Sequence, residues 1–436
     1  MSRIPQINIG LFGFGTVGSR VYELLDKNKA LIEKKLGYPI HVKKICEPDS
    51  KKKLSIHIPT NILTTKASEV FDDPEISIIV ELIGDKPAAL EVMMKALSLG
   101  KHVVTANKAI LAAHGAELYA EAARNEVGIL FEAAVAGAIP VLRALREGFI
   151  ADRILSIMGI VNGTSNYILT GMGEQKKSFA EVLAEAQKLG YAEANPASDV
   201  EGIDTAHKLA ILTSLAYGQI IPLDKIYTEG ITQITSFDLE MADRFDYTIK
   251  LLAISKKIGD EIEARVHPTL LSKDHILARV RGVFNAVMMQ GEFVGPSVLY
   301  GLGAGGAPTA TAVVADIIDM SRNIMLRVPG VPPLGMHIDS IQKGKVRAMD
   351  DIETGYYLRF TAVDKPGVFA RIASILGQNQ ISISAVYQHG REEGKEVPIV
   401  VITHKAREKN VQAAVKEIDK LNVVAKKTLL MRIELS

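Results

Sequence analysis

Residues 8–21, NIGLFGFGTVGSRV, restrict the fold of this chain more than any other stretch. Gln6–Phe12 reads as a buried strand, and from Ser19 to Leu36 the residues Val21, Leu24, Leu25, Leu31 and Ile32 recur at helical spacing. Between the two lies Gly13-Phe14-Gly15-Thr16-Val17-Gly18. Gly13 permits a tight turn, Gly15 lets a phosphate approach the backbone, and Gly18 lets helix and strand pack closely. The N–H groups at the start of the helix favour an anion. Strand, turn and helix in this order point to a dinucleotide pyrophosphate; a glycine-rich corner with no ligand is the competing reading.

The alternation continues. Strands are expected at Val42–Cys46, Ile76–Leu82 (followed by Gly84-Asp85) and Lys101–Thr105, with a helix at Ala88–Leu99. This is the pattern of an α/β fold with a doubly wound parallel sheet of Rossmann type, in which ligands bind beyond the carboxyl ends of the strands. Thr105 and Lys108 stand at such an end, although a lone lysine there also suits a surface position. The second strand runs into Glu47-Pro48-Asp49-Ser50-Lys51-Lys52-Lys53. An acid there would bond the ribose hydroxyls of NAD, and bases would favour the extra phosphate of NADP. Both occur, as they would in a merely solvated loop, and the three lysines incline the reading towards NADP.

The 436 residues exceed one ordinary core, so two or three domains are expected. With 47% hydrophobic and 23% charged residues, the composition is that of a globular chain. A formal net charge of +1 suggests no nucleic-acid partner. No apolar run has the length of a membrane span, and no signal-like stretch precedes Asn8. The single cysteine, Cys46, excludes an intrachain disulfide and a cysteine-based zinc site, and a reducing cytoplasm is expected.

Further along, Ile129–Phe131 reads as a strand leading into FEAAVAGAIP, 131–140. There Glu132 beside exposed carbonyls could hold a hard cation, or the small residues could simply begin a helix. RILSIMGIVNGTSNYIL, 153–169, is a strand passing through Asn162-Gly163-Thr164-Ser165-Asn166 into a helix, either a polar-ligand site or a cap. In GYAEANPASDVEGIDTAHKLAIL, 190–212, four carboxylates precede or enter a helix from about Gly202 to Tyr217: Glu193, Asp199, Glu201 and Asp204. Asp204 and Lys208 are four apart and share a face. They could form an exposed ion pair, but the helix around them is strongly apolar, and a charged pair on a buried helix needs a partner or a purpose. His207 reads as a packing residue. Strand-like stretches at 248–254, 261–266, 284–289 and 293–300 suggest a mixed or antiparallel sheet, and GLGAGGAPTATAVVADIIDM, 301–320, begins a helix near Pro308.

After a Pro- and Gly-rich linker, the tail reads β-α-β-β-α-β, a ferredoxin-like module. The expected organisation is a dinucleotide-binding domain at 1–150, completed by helices within 305–340. A mixed α+β catalytic and dimerisation domain would follow at 151–304, a linker at 341–352 and the tail module at 353–436.

Taken together, GFGTVG (13–18), VVTANKAIL (103–111), FEAAVAGAIP (131–140), VNGTSNYIL (161–169), GYAEANP…DVEGIDTAHKLAIL (190–212) and GLGAGGAPTAT (301–311) resemble homoserine dehydrogenase, in family order. VDKPGVFARIASILGQNQISI, 363–383, resembles an ACT regulatory domain. With no kinase-like segment ahead of residue 1, the monofunctional enzyme is the expected form. The resemblance implies reversible reduction of aspartate 4-semialdehyde to homoserine by NAD(P)H. It implies Lys208 as proton donor, Lys108 beside nicotinamide and substrate, and Glu193 and Asp204 on the substrate ammonium. Gly13–Gly18 (Gly13, Phe14, Gly15, Thr16, Val17, Gly18), Thr105, Lys108, Gly190, Gly303 and Gly305 would line the cofactor. Glu132, with the carbonyls of Val135, Gly137 and Ile139, would bind a monovalent cation, sodium in this family. The EANP stretch departs from the more acidic family pattern, in which an aspartate often stands near Asn195. Threonine is the expected effector, near Asp364–Val368 and Gln378–Ile381, and a homodimer the expected assembly.

Two other readings compete. Aspartate-semialdehyde dehydrogenase chemistry needs a cysteine nucleophile near the substrate, and Cys46 belongs to the second strand, far from the expected site. A catalytically silent sensor of nucleotide and amino acid would not need the cluster at 193–208.

Overall fold

The computed structural model describes residues 6–49, 56–84, 87–388 and 393–434. Ser50, Lys51, Lys52, Lys53 and Asp85, on which parts of the reading above fall, lie outside the described residues. The chain folds into two compact units, one formed by Met1–Ile157, His207–Lys225 and Asn285–Gly344, the other by Met158–Ala206, Ile226–Phe284 and Lys345–Ser436.

In the first unit, β1 (Ile7–Phe12), β2 (Ile40–Cys46), β3 (Leu63–Thr64), β4 (Ile76–Glu81), β5 (His102–Thr105) and β6 (Ile129–Leu130) form a sheet ordered β3-β2-β1-β4-β5-β6. Every neighbouring pair is parallel. All six residues of β1 are buried, which is why its sequence is a continuous apolar run rather than an alternating one. The strand order reverses beside β1, so the loop leaving β1 opens at the switch point where such sheets bind ligands. Ile9, Leu11, Ile78, Val80 and Val104 share one core with Val21 and Leu25 of the first helix and with Val313 and Ile317 of the helix Gly306–Leu326. The region expected to form one helix from Ser19 to Leu36 is two, Thr16–Lys27 and Lys29–Leu36, parted at Asn28. An asparagine side chain competes for backbone groups and weakens a helix interior.

In the second unit, strands run side by side in the order Tyr247–Ile258, Glu261–Ser272, Val424–Glu434, Glu353–Val363, Glu396–Thr403, Ile383–Gln388. The first two pair antiparallel along their whole length, from Tyr247 opposite Ser272 to Ile258 opposite Glu261. The last four, with the helices Val368–Gln378 and Glu408–Ile418, are the βαββαβ module. Its final strand pairs in parallel with the hairpin, Thr269 opposite Arg432, so module and hairpin share one sheet. Tyr356, Leu358, Phe360, Ile372, Leu376, Val401, Val411 and Ile418 form the module's own core.

Among the described residues, no helix is long and apolar enough to cross a membrane.

Candidate active site

The fingerprint turn has the geometry its glycines imply. Gly13 has φ +89°, and a Cβ there would lie 2.5 Å from the carbonyl oxygen of Leu82. A Cβ on Gly18 would lie 2.2 Å from the carbonyl oxygen of Gly13. Only glycine permits both approaches. At Gly15 an added Cβ would meet nothing within 4 Å, so this backbone is open to a ligand. Phe14 is buried against Tyr22, and Thr16, Val17 and Gly18 open the first helix. The helix Gly306–Leu326 begins alongside: a Cβ on Gly306 would touch Thr16 Cγ2 at 3.1 Å. Gly306 therefore meets the fingerprint helix through tertiary packing, and Gly303 and Gly305 precede it directly in the chain. Gly303 also meets Gly137, whose Cβ would lie 2.7 Å from the Gly303 carbonyl carbon, and it packs on the buried Asn285. Among the described residues the Asn285 carboxamide has no hydrogen-bond partner. The open backbone at Gly15 fits a polar ligand such as a dinucleotide.

The carboxyl ends of β4 and β5 are tied by a buried network that was not anticipated from sequence. Thr105 Oγ1 donates to Glu81 Oε2 at 2.7 Å, and the Ile83 amide donates to Glu81 Oε1 at 2.7 Å. Asn107 Nδ2 donates to the Gly84 carbonyl at 2.7 Å while its Oδ1 caps the next helix through the Ile110 amide at 3.2 Å. Lys108 is the first residue of that helix and is half-buried. The available signal was an acidic residue closing an apolar strand, since a buried carboxylate needs hydrogen-bond donors.

Glu132 is buried and accepts from the amides of Leu142 and Arg143 at 2.9 and 2.8 Å. Its own amide donates to Asp316 Oδ2 at 2.8 Å. Burial pushes the Glu132 carboxyl up, against the two backbone donors. Burial and then the charge of Glu132 push Asp316 up to about 7. Asp316 Oδ1 has no hydrogen-bond partner among the described residues. Ala136 and Gly137 both have φ +54°, which turns the loop carrying Val135, Gly137 and Ile139. Two adjoining buried carboxylates and a turned carbonyl loop suit a hard cation. Asp316 was missed in the sequence because it interrupts an apolar helix 184 residues away from Glu132.

In the second unit, Asn162 caps the helix Gly163–Gln175, its Oδ1 accepting from the Ser165 amide at 2.8 Å. Its Nδ2 donates to Asp199 Oδ1 at 2.7 Å and to Asp204 Oδ2 at 2.8 Å. Thr164 Oγ1 donates to the carbonyl of Tyr191 at 2.7 Å, tying the turn at Gly190 to the start of the same helix. Glu193 follows this turn and is exposed, with its carbonyl accepting from Gln187 Nε2 at 3.1 Å. Asp204 and Lys208 lie one turn apart on the helix Ile203–Tyr217 and are only 6% and 9% exposed. The Lys208 side chain is thus withdrawn from bulk water. Cys46 is buried in β2, where burial pushes its thiol up, away from the thiolate an acylating nucleophile requires.

Comparison with known proteins identifies the family. Residues 13–132 match the family model for the homoserine dehydrogenase NAD-binding domain, 140–318 that for homoserine dehydrogenase, and 356–423 that for the ACT domain. The chain is 42% identical to a homoserine dehydrogenase of Neisseria gonorrhoeae, with 99% of each covered. It resembles the crystal structure of a homoserine dehydrogenase from Thiobacillus denitrificans with a TM-score of 0.92 and 44% identity, covering 99% of this chain and 98% of that one. A hyperthermophilic archaeal homoserine dehydrogenase in complex with NADPH matches with a TM-score of 0.63 and 28% identity, covering 75% of this chain and 99% of that one. The chain belongs to the homoserine dehydrogenase family, nicotinamide-dependent oxidoreductases that act on a CH–OH group.

Proposed function

We propose that this enzyme interconverts aspartate 4-semialdehyde and homoserine with Lys208 as the proton donor. The observation that carries the reading is a charged pair, Asp204 and Lys208, kept one turn apart on an apolar helix and almost wholly buried. A nicotinamide dinucleotide, NAD(H) or NADP(H), supplies or accepts the hydride when bound. Gly13–Gly18, Thr105, Lys108, Gly190, Gly303 and Gly305 are the residues proposed to hold it. As the aldehyde is reduced, negative charge grows on its oxygen. The Lys208 ammonium stabilises that charge and delivers a proton to the oxygen, leaving an alcohol; in the reverse direction the lysine amine takes the hydroxyl proton. Asp204 and Glu193 bind the substrate ammonium, and Asp204 orients Lys208. Lys108 positions the carbonyl.

Three further roles belong to the proposal. Glu132 with the carbonyls of Val135, Gly137 and Ile139 binds a monovalent cation, sodium, which offsets the charge of the Glu132–Asp316 pair. The tail binds threonine. In support, a pocket of about 120 Å³ is lined by Asp364, Lys365, Gly367, Val368 and Gln388, at the N-terminus of the helix Val368–Gln378. An amino acid can place its carboxylate at those amides and its ammonium at Asp364. Gln378–Ile381, the other expected stretch, does not line this pocket. The enzyme works as a homodimer. Phe293, 88% exposed, and Tyr300, 56% exposed, lie on or beside the edge strand Gly295–Leu302, an apolar surface suited to a second copy.

The test is absorbance at 340 nm with purified enzyme, homoserine and NAD⁺ or NADP⁺. Cofactor reduction that needs homoserine is the expected result. Nucleotide binding without any reduction over a range of pH and salt would leave a sensor instead. Repeating the assay with threonine, and with sodium replaced by a bulky cation, tests the two regulatory roles.

A further inference from the structure

We infer that Glu47 selects the cofactor, making this enzyme one that prefers NAD(H) and discriminates against the 2′-phosphate of NADP(H). The inference rests on the dinucleotide reading above and goes beyond it. Glu47 follows the last residue of β2 and is 7% exposed. Its carboxylate turns towards the fingerprint: Oε2 accepts from the Phe14 amide at 3.0 Å. One residue earlier, the Cys46 carbonyl accepts from the Gly13 amide at 3.1 Å, and on the other side the Glu47 amide donates to the Thr64 carbonyl at 3.0 Å. The end of β2 is thus bonded on both flanks, and the carboxylate is fixed against the first turn of the glycine loop.

In folds of this kind the adenosine ribose of the dinucleotide lies over the end of the second strand, beside the glycine loop. A carboxylate there accepts hydrogen bonds from ribose hydroxyls. A 2′-phosphate at the same place would bring about 1.5 to 2 further negative charges towards a buried anion. Burial lowers the local dielectric and strengthens that repulsion. Glu47 cannot swing away without breaking its bond to the Phe14 amide and leaving a buried donor unpaired, which is costly. Selection therefore comes from an acid built into the turn, and it opposes the pull towards NADP that the run of lysines suggests in the sequence.

Calorimetric dissociation constants for NAD⁺ and NADP⁺ on the full chain test the inference, alongside the ratio of kcat/KM for NADH and NADPH. NAD⁺ should bind about 10- to 100-fold more tightly, the range for a like-charge clash. Glu47→Gln keeps the shape and an acceptor for the Phe14 amide but removes the charge. It should strengthen NADP⁺ binding about tenfold while changing NAD⁺ binding much less. Because that variant could lose stability, a second arm uses the unaltered enzyme: 5′-AMP should bind more tightly than adenosine 2′,5′-bisphosphate. Tighter binding of NADP⁺ and of the bisphosphate would overturn the role of Glu47 while leaving the dinucleotide reading intact. No binding of either dinucleotide would overturn both.

Discussion

Asn162 Nδ2 donates to Asp204 Oδ2 at 2.8 Å and to Asp199 Oδ1 at 2.7 Å, so a single carboxamide holds two carboxylates. The same side chain caps its helix through Oδ1, which fixes the direction of the amide. Asp204 is thereby aimed from two sides, by the helix it opens and by Asn162. Replacing Asn162 with Ala removes one hydrogen bond from each of these carboxylates. We expect kcat/KM for homoserine to fall roughly 10- to 100-fold, the scale on which small misplacements cost rate. The loss should appear in both KM and kcat, with the dissociation constant of the dinucleotide unchanged. A variant with normal steady-state constants would show that Asp204 needs no such support.

Lys208→Ala should reduce turnover about 10²- to 10⁴-fold, as expected for removal of a general acid. Cofactor binding, followed by calorimetry, should be little changed. Turnover close to that of the unaltered enzyme would remove Lys208 from the chemistry.

Lys250 is buried, and its ammonium donates to Asn166 Oδ1 at 3.1 Å and to the Val280 carbonyl. Burial pushes it down to about 8, with the charge of Arg281 lowering it further and that of Glu174 raising it. The unfolded chain keeps its lysines protonated until about pH 10.4. Between about pH 8 and 10.4 the unfolded state therefore binds more protons at this site, and the site's contribution to stability rises with pH in that window. Relative to Lys250→Met, the unaltered enzyme should gain about 1–2 kcal/mol between pH 7.5 and 9.5 in urea unfolding. A stability difference that is flat across this interval would contradict the depressed value.

Arg432 lies at the centre of a buried ionic cluster. Its Nε and Nη2 donate to the two oxygens of Glu408 at 3.1 and 2.6 Å, and its Nη1 donates to Glu229 at 2.7 Å. Arg432 and Glu408 are each 1% exposed. Arg432→Met leaves the Glu408 charge buried and uncompensated, and should cost about 3–5 kcal/mol in chemical unfolding. Arg432→Met combined with Glu408→Leu should recover most of that loss, since a buried pair can be replaced by apolar side chains at little cost. A double variant as unstable as the single one would locate the loss in packing rather than in charge.

Much of the fold was legible from local pattern. The apolar run of β1, the glycine turn and the βαββαβ tail follow from hydrophobic period and turn chemistry over a few residues, and the chain folds accordingly. The four-residue spacing of Asp204 and Lys208 likewise fixed their shared face once the helix formed. What local pattern misjudged was also local: the helix breaks at Asn28, a residue of low helix propensity.

The sequence by itself thus determined which elements form and which side chains share a face, because neighbours three or four apart on a helix, or two apart on a strand, meet wherever the element lies. Only the tertiary structure decided that Asn162 meets Asp199 and Asp204, that Glu47 turns towards Phe14, that Glu132 adjoins Asp316, and that Gly303 packs against Gly137. Those partners are separated by dozens to hundreds of residues along the chain. Their contact depends on the route of the whole backbone and on the need of each buried polar group for a partner, which no short-range period encodes.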